Sequence, residues 1–205
     1  AERAIEHAPK RTKPQIAASI GPYGAFLADG SEYKGEYGIS TEDLNDFHRE
    51  RIEIMDGSSV DFLACETIPC IQEAMVLSEI LAKCKKPSWV SFSFKDEKHI
   101  NDGSKFSDCI KIFVGHPKVF AIGVNCTKPE YVSNIIRTIR SSEWRGKIIA
   151  YPNSGEVYCA ETNSWTDSPS QFLELAQEWK SLGVDIIGGC CRIGPAEIKE
   201  LKQPA

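Results

Sequence analysis

Apolar residues gather into six short runs: QIAASI (15–20), VDFLACE (60–66), SWVSFSF (88–94), VFAIGVN (119–125), KIIAYPN (147–153) and VDIIGG (184–189). Each has the length of a strand and is rich in β-branched or aromatic side chains. Between them the spacing turns helical. Thr41 opens TEDLNDFHRERIEIM, Pro69 opens CIQEAMVLSEILAK, Lys128-Pro129 opens PEYVSNIIRTIR, and Ser168-Pro169 opens SPSQFLELAQEWKSL. A weaker helix is predicted over 104–114, and 194–202 begin another. Strands apolar on both faces, alternating with helices, predict a parallel sheet covered by helices.

Two architectures satisfy that alternation, an open doubly wound sheet and a β/α barrel. The open sheet is marked by a glycine fingerprint after its first strand, and neither GxGxxG nor GxxxxGK[ST] occurs here. A barrel carries its polar and reactive residues at the C-terminal ends of several strands. The runs end in that way: Ser19 and Gly21 on the first, Glu66 and Thr67 on the second, Asn125 and Cys126 on the fourth, Asn153 on the fifth, Cys190 and Cys191 on the sixth. The predicted fold is therefore α/β, a (β/α)8 TIM-type barrel in one domain over 1–205. A full barrel takes about 250 residues, and AERAIEHAPK reads as the tail of a helix without its strand. The expectation is a barrel lacking its first two β/α units.

Composition narrows the partners. The 205 residues are 41% hydrophobic and 26% charged, with a net charge of −5 and no long run of like charge. Nothing there attracts nucleic acid or an anionic membrane, so small molecules are the expected partners. No run reaches the roughly 20 apolar residues of a membrane span, and the first residues lack the apolar middle of a signal peptide. The eight cysteines sit within apolar or helical segments, not at the spacings of a disulfide scaffold, which predicts a reducing, cytoplasmic setting. The sequon Asn125-Cys126-Thr127 ends an apolar strand and reads as coincidence.

Cys190 beside Cys191 is the unusual feature. Neighbours on a regular strand face opposite ways, so two thiols converge only where the strand ends, and Gly188-Gly189 permit a bend. With Cys126 they make three thiols at strand ends. Three sulfur ligands with a fourth position open mark a catalytic zinc site, and no histidine lies at a strand end to close it. Cys65 is a rival ligand unless Glu66 faces the mouth, which would turn Cys65 outward against the helices. Three inert buried thiols and a vicinal disulfide are the competing readings. Trp89, Phe92 and Phe94 read as core.

The set SIGPYGA (19–25), ACETIP (64–69), IGVNCTKPE (122–130), YPNSGE (151–156) and IIGGCCRIGP (186–195) resembles the homocysteine S-methyltransferase family. The resemblance implies a barrel that holds Zn2+ through Cys126, Cys190 and Cys191. It implies methyl transfer from a sulfonium donor, S-methylmethionine or S-adenosylmethionine, to homocysteine, yielding methionine. A thiol with a pKa of about 8.5 is mostly protonated at neutral pH, and zinc coordination would remove that proton. Glu66 matches the residue that holds the amino group of homocysteine. Asn125, Ser19, Gly21 and Asn153 are further candidates for substrate contact, with loop capping and turn formation as alternatives for the two asparagines. The family's Asp-Gly motif on the opening strand has no counterpart here. Alternatives are a betaine or methylated-cofactor donor, a selenol acceptor, or a zinc-binding fragment without activity. Oligomeric state is not predicted.

Overall fold

The computed structural model describes residues 5, 14–159, 164–166 and 172–201. The chain runs β1 (Ala17–Ile20), a short α1 (Tyr23–Leu27), a 3-10 turn (Ser31–Tyr33), α2 (Thr41–Asp56), β2 (Phe62–Ile68) and α3 (Ile71–Leu81). It continues through β3 (Ser88–Phe92), α4 (Phe106–Phe113), β4 (Val119–Asn125), α5 (Pro129–Arg140) and β5 (Lys147–Tyr151). A hairpin of β6 (Val157–Cys159) and β7 (Ser164–Thr166) precedes α6 (Phe172–Ser181), β8 (Ile186–Ile187) and α7 (Pro195–Glu200).

Six strands join in one parallel sheet in the order β1-β2-β3-β4-β5-β8. Apart from the separate hairpin, spatial order follows chain order without reversal. A doubly wound sheet reverses at a switch point, whereas a barrel advances strand by strand. The sheet is thus an arc of the predicted β/α barrel.

The two faces of the sheet differ. Side chains such as Leu63, Cys65, Val90, Phe92, Ile122 and Val124 point to the helices and are fully buried in the main core. α5 meets them with Val132, Ile135, Ile136 and Ile139, the i, i+3, i+4, i+7 stripe of a helix with one apolar face. The other face carries Ser19, Glu66, Trp89, Ser91, Asn125 and Tyr151 toward the C-terminal ends, so the strands are not apolar on both faces as the sequence suggested. Trp89 is a correction to the core reading: it is only partly buried, and its indole donates to Tyr151 Oη at 3.0 Å. Phe92 and Phe94 are buried as expected.

Boundaries moved at several points. The sixth run pairs only at Ile186 and Ile187, and the fifth stops at Tyr151. α2 is capped by Ser40, whose hydroxyl accepts from the Asp43 amide at 3.1 Å, one residue before the predicted start. α1 and the β6–β7 hairpin had no counterpart in the hydrophobic pattern. The Ser168-Pro169 start and nearly all of the first ten residues lie outside the described residues.

β4 approaches β5 closely at Gly123, where a Cβ would lie 1.7 Å from the Ile149 carbonyl oxygen. Backbone cannot yield as a flexible side chain can. Gly123→Ala is expected to destabilise the fold by about 3 kcal/mol or more, read as a drop in the urea midpoint. A midpoint within error of the parent would show that the strands separate freely.

Candidate metal centre

Two strands end by breaking regular geometry. Asn125 closes β4 facing the open side of the sheet, and in a continued strand Cys126 would face the helices. Its backbone instead turns left-handed, φ 47°, as does Thr67, φ 65°, directly after Glu66. Left-handed φ is uncommon outside glycine and rarer still for a β-branched residue, so it needs support. Asn125 supplies it for Thr67: its Oδ1 accepts from the Thr67 amide at 2.7 Å and its Nδ2 donates to Thr67 Oγ1 at 2.7 Å.

After β8, Cys190 and Cys191 enter a tight turn in which the Ile193 amide donates to the Cys190 carbonyl at 3.2 Å. The left-handed residue is Arg192, φ 67°, not either glycine. Gly189 is there for closeness, since a Cβ would lie 2.0 Å from Ile193 Cγ2. In a turn, consecutive side chains no longer alternate by half a rotation, so both thiols reach one side. The turn is tied to the preceding loop: Cys190 N donates to the Pro152 carbonyl at 2.8 Å and Cys191 N to Asn153 Oδ1 at 3.3 Å. Asn153 N in turn donates to the Thr127 carbonyl at 3.1 Å. Asn153 thus joins the loop of Cys126 to that of Cys191.

The result is a trio of sulfurs, from Cys126, Cys190 and Cys191, all within 4.8 Å of one another, with Cys126 and Cys191 4.0 Å apart. All three are partly buried. Hydrogen bonds from Cys126 and then Cys190 hold the Cys191 thiol down to about 3, while its contacts with Cys190 and Cys191, together with burial, push Cys126 up. Elsewhere burial pushes the Cys70 and Cys109 thiols up to about 12, the state of inert core cysteine. Cys65 is fully buried on the helix side, the outward placement expected if Glu66 faces the mouth.

Glu66 is held at both oxygens. Ser19 Oγ donates to Oε1 at 2.5 Å and Tyr151 Oη to Oε2 at 2.9 Å. Ser91 lies 2.5 Å from Tyr151 Oη and 2.8 Å from Asn125 Oδ1, so polar contacts run unbroken from Ser19 to Asn125. Ser19 thus reaches the site through its side chain. Gly21 lies apart from this chain, and its carbonyl accepts from Arg51 at 3.4 Å. Tyr151, Ser91 and Tyr33 were missed. Tyr151 ends the strand β5 itself, two residues before the Asn153 at which the apolar run stops. Tyr33, on the 3-10 turn, lies within electrostatic reach of all three sulfurs: burial and the Cys126 charge push its phenol up. Among the described histidines, His48 contacts Glu73, His99 contacts Asp96 and His116 contacts the Ser78 carbonyl.

Reactive thiols gathered at strand ends of a parallel β/α arc define a barrel protein with a thiol-rich mouth, the rim on which such folds place their chemistry. The chain belongs to the homocysteine S-methyltransferase family, whose model matches residues 1–205. It is 43% identical over 194 residues to the homocysteine S-methyltransferase YbgG of Bacillus subtilis, covering 93% of this chain and 61% of the relative. It is 40% identical over 194 residues to a selenocysteine Se-methyltransferase of Brassica oleracea, covering 91% and 56%. The metallated crystal form of the homocysteine methyltransferase MmuM of Escherichia coli superposes with a TM-score of 0.83 at 36% identity, covering 98% of this chain and 65% of that one. The chain thus spans about three-fifths of the length of these curated relatives. Among the described residues no helix is long and apolar enough to cross a membrane.

Proposed function

We propose that the full protein transfers a methyl group from a sulfonium donor to the thiol of homocysteine, with Zn2+ held by Cys126, Cys190 and Cys191. The observation that carries this reading is the sulfur trio, assembled from strand ends 64 positions apart in the chain. A tetrahedral zinc with Zn–S bonds of about 2.3 Å sets its sulfurs roughly 3.8 Å apart, close to the 4.0 Å between Cys126 and Cys191. The donor set therefore fits. When bound, zinc supplies a Lewis-acidic position that takes an incoming thiol as its thiolate.

The protein's own residues do the rest. Glu66 presents a carboxylate already fixed by Ser19 and Tyr151, suited to an ammonium group in a partly enclosed mouth. Asn125 holds the Thr67 turn and through it the direction of Glu66, and Asn153 locks the two cysteine loops together. As the acceptor sulfur bonds to the methyl carbon, the donor's own carbon–sulfur bond breaks and its electron pair leaves with a neutral thioether. With zinc in place the acceptor's thiol proton would pass to solvent as the thiol bound, so no separate base would be needed at the sulfur. The trio requires a reducing setting, in keeping with a cytoplasmic enzyme acting as one domain on small molecules.

The full-length protein, purified without chelator, is expected to carry one zinc per chain and to form methionine from homocysteine and S-methylmethionine or S-adenosylmethionine, faster than from betaine. Chelation should abolish turnover and zinc restore it. Folded protein with no stoichiometric zinc, or turnover unaffected by its removal, would overturn the reading. Selenohomocysteine and selenocysteine belong in the same assay, because one relative is named for a selenol substrate.

A further inference from the structure

Tyr151 has contacts that the reading above leaves unused. Its phenol oxygen meets Glu66 Oε2 at 2.9 Å, Ser91 Oγ at 2.5 Å and Trp89 Nε1 at 3.0 Å. Trp89 N–H can only donate, so it occupies one lone pair and fixes where the phenol sits. Between Glu66 and Asn125 lie three oxygen–oxygen contacts, Glu66–Tyr151, Tyr151–Ser91 and Ser91–Asn125, yet Tyr151 and Ser91 bring one hydrogen each. Two protons cannot fill three contacts. Tyr151 gives its proton to Glu66 Oε2, since hydrogen bonds to a charged acceptor are the stronger ones, and Ser91 gives its own to Asn125 Oδ1. Burial and the Glu66 charge push the phenol well above its ordinary range, so it remains a donor at working pH.

We infer that Tyr151 is a positioning residue for Glu66: pinned by Trp89 and Ser91, its hydroxyl sets the carboxylate that receives the acceptor's amino group and links that pocket to Asn125 beside the sulfur trio. The inference rests on the homocysteine reading of the site and names the residue that discriminates amino-bearing thiols from amino-free ones.

The test pairs a variant with a truncated substrate in the full-length, zinc-loaded protein. Homocysteine is compared with 4-sulfanylbutanoate, which keeps the chain and carboxylate but lacks the amino group. Tyr151→Phe is expected to raise KM for homocysteine by about tenfold or more, the size of one hydrogen bond to a charged group. It should leave the donor's KM unchanged and alter kcat/KM for 4-sulfanylbutanoate by less than about twofold, because Glu66 has nothing to hold there. Equal losses on both thiols, or no loss on homocysteine, would overturn the inference. If Tyr151→Phe does not fold, Trp89→Phe removes the pin while keeping the hydroxyl and should show the same selective loss, smaller in size. Wild-type protein that methylates neither thiol sinks the functional reading, and this inference with it.

Discussion

Cys126→Ala is expected to strip the metal and with it the activity, while leaving the fold intact. Structural zinc contributes about 10–16 kcal/mol across its ligands, so one thiolate of three or four accounts for roughly 3–5 kcal/mol, or about a hundred- to a few-thousand-fold in affinity. Cys126 is partly buried at the end of β4 and stands outside the packed core, so its loss removes little apolar contact. Zinc should fall from one per chain to trace, with an unchanged far-ultraviolet spectrum and a Tm shifted only by what zinc itself contributes. Cys65→Ala provides the opposite control. That thiol is fully buried among helix-facing side chains, so the variant should lose stability and keep its zinc. A Cys126→Ala protein that retains stoichiometric zinc would show that these sulfurs do not hold it.

Glu73→Ala is expected to cost about 3–5 kcal/mol, since it takes the charged acceptor from three donors at about 1–3 kcal/mol each when fully buried. The Glu73 carboxylate is fully buried and accepts from His48 Nε2 at 2.6 Å, the Tyr23 amide at 2.7 Å and Tyr37 Oη at 2.9 Å. His48 Nδ1 has no partner, so Nε2 carries the proton that Glu73 accepts. Removing the carboxylate takes the acceptor from donors in three parts of the chain, His48 fully buried and Tyr23 and Tyr37 half-buried. Those parts are α1, the segment at Tyr37 and α2, all anchored through Glu73 onto α3. Against a typical total of 5–15 kcal/mol, the variant stands near unfolding at room temperature. Urea titration should show a large fall in midpoint, with Glu73→Gln intermediate because its amide oxygen still accepts. A fall of less than about 1 kcal/mol would mean that water or a rearranged neighbour replaces Glu73.

Much of this architecture was legible in the chain. Six apolar runs separated by helical spacing are a physical requirement of strands buried between helices, and the absence of a phosphate-binding glycine pattern weighed for the barrel. The cysteines were legible because the three thiols stand at the ends of two apolar runs, positions that contribute little to core packing. Tyr151 and Trp89 escaped because an aromatic residue in an apolar run looks the same whether it fills a core or faces a mouth. The difference lies in which face of the sheet it occupies, and that is fixed only when the strands assemble. Glu73 escaped too: an acid in the first turn of a helix is ordinarily a surface residue favoured by the helix dipole.

By itself the sequence determined the alternation of strand and helix, the parallel order and the kinds of side chain at the strand ends, because periodicity and residue chemistry are local properties. Only the tertiary structure decided that Cys126, Cys190 and Cys191 meet, that Asn153 locks their loops, and that Tyr151 reaches Glu66. Those outcomes depend on left-handed turns at Thr67, Cys126 and Arg192, conformations unfavourable for each residue alone and sustained by contacts from distant parts of the chain.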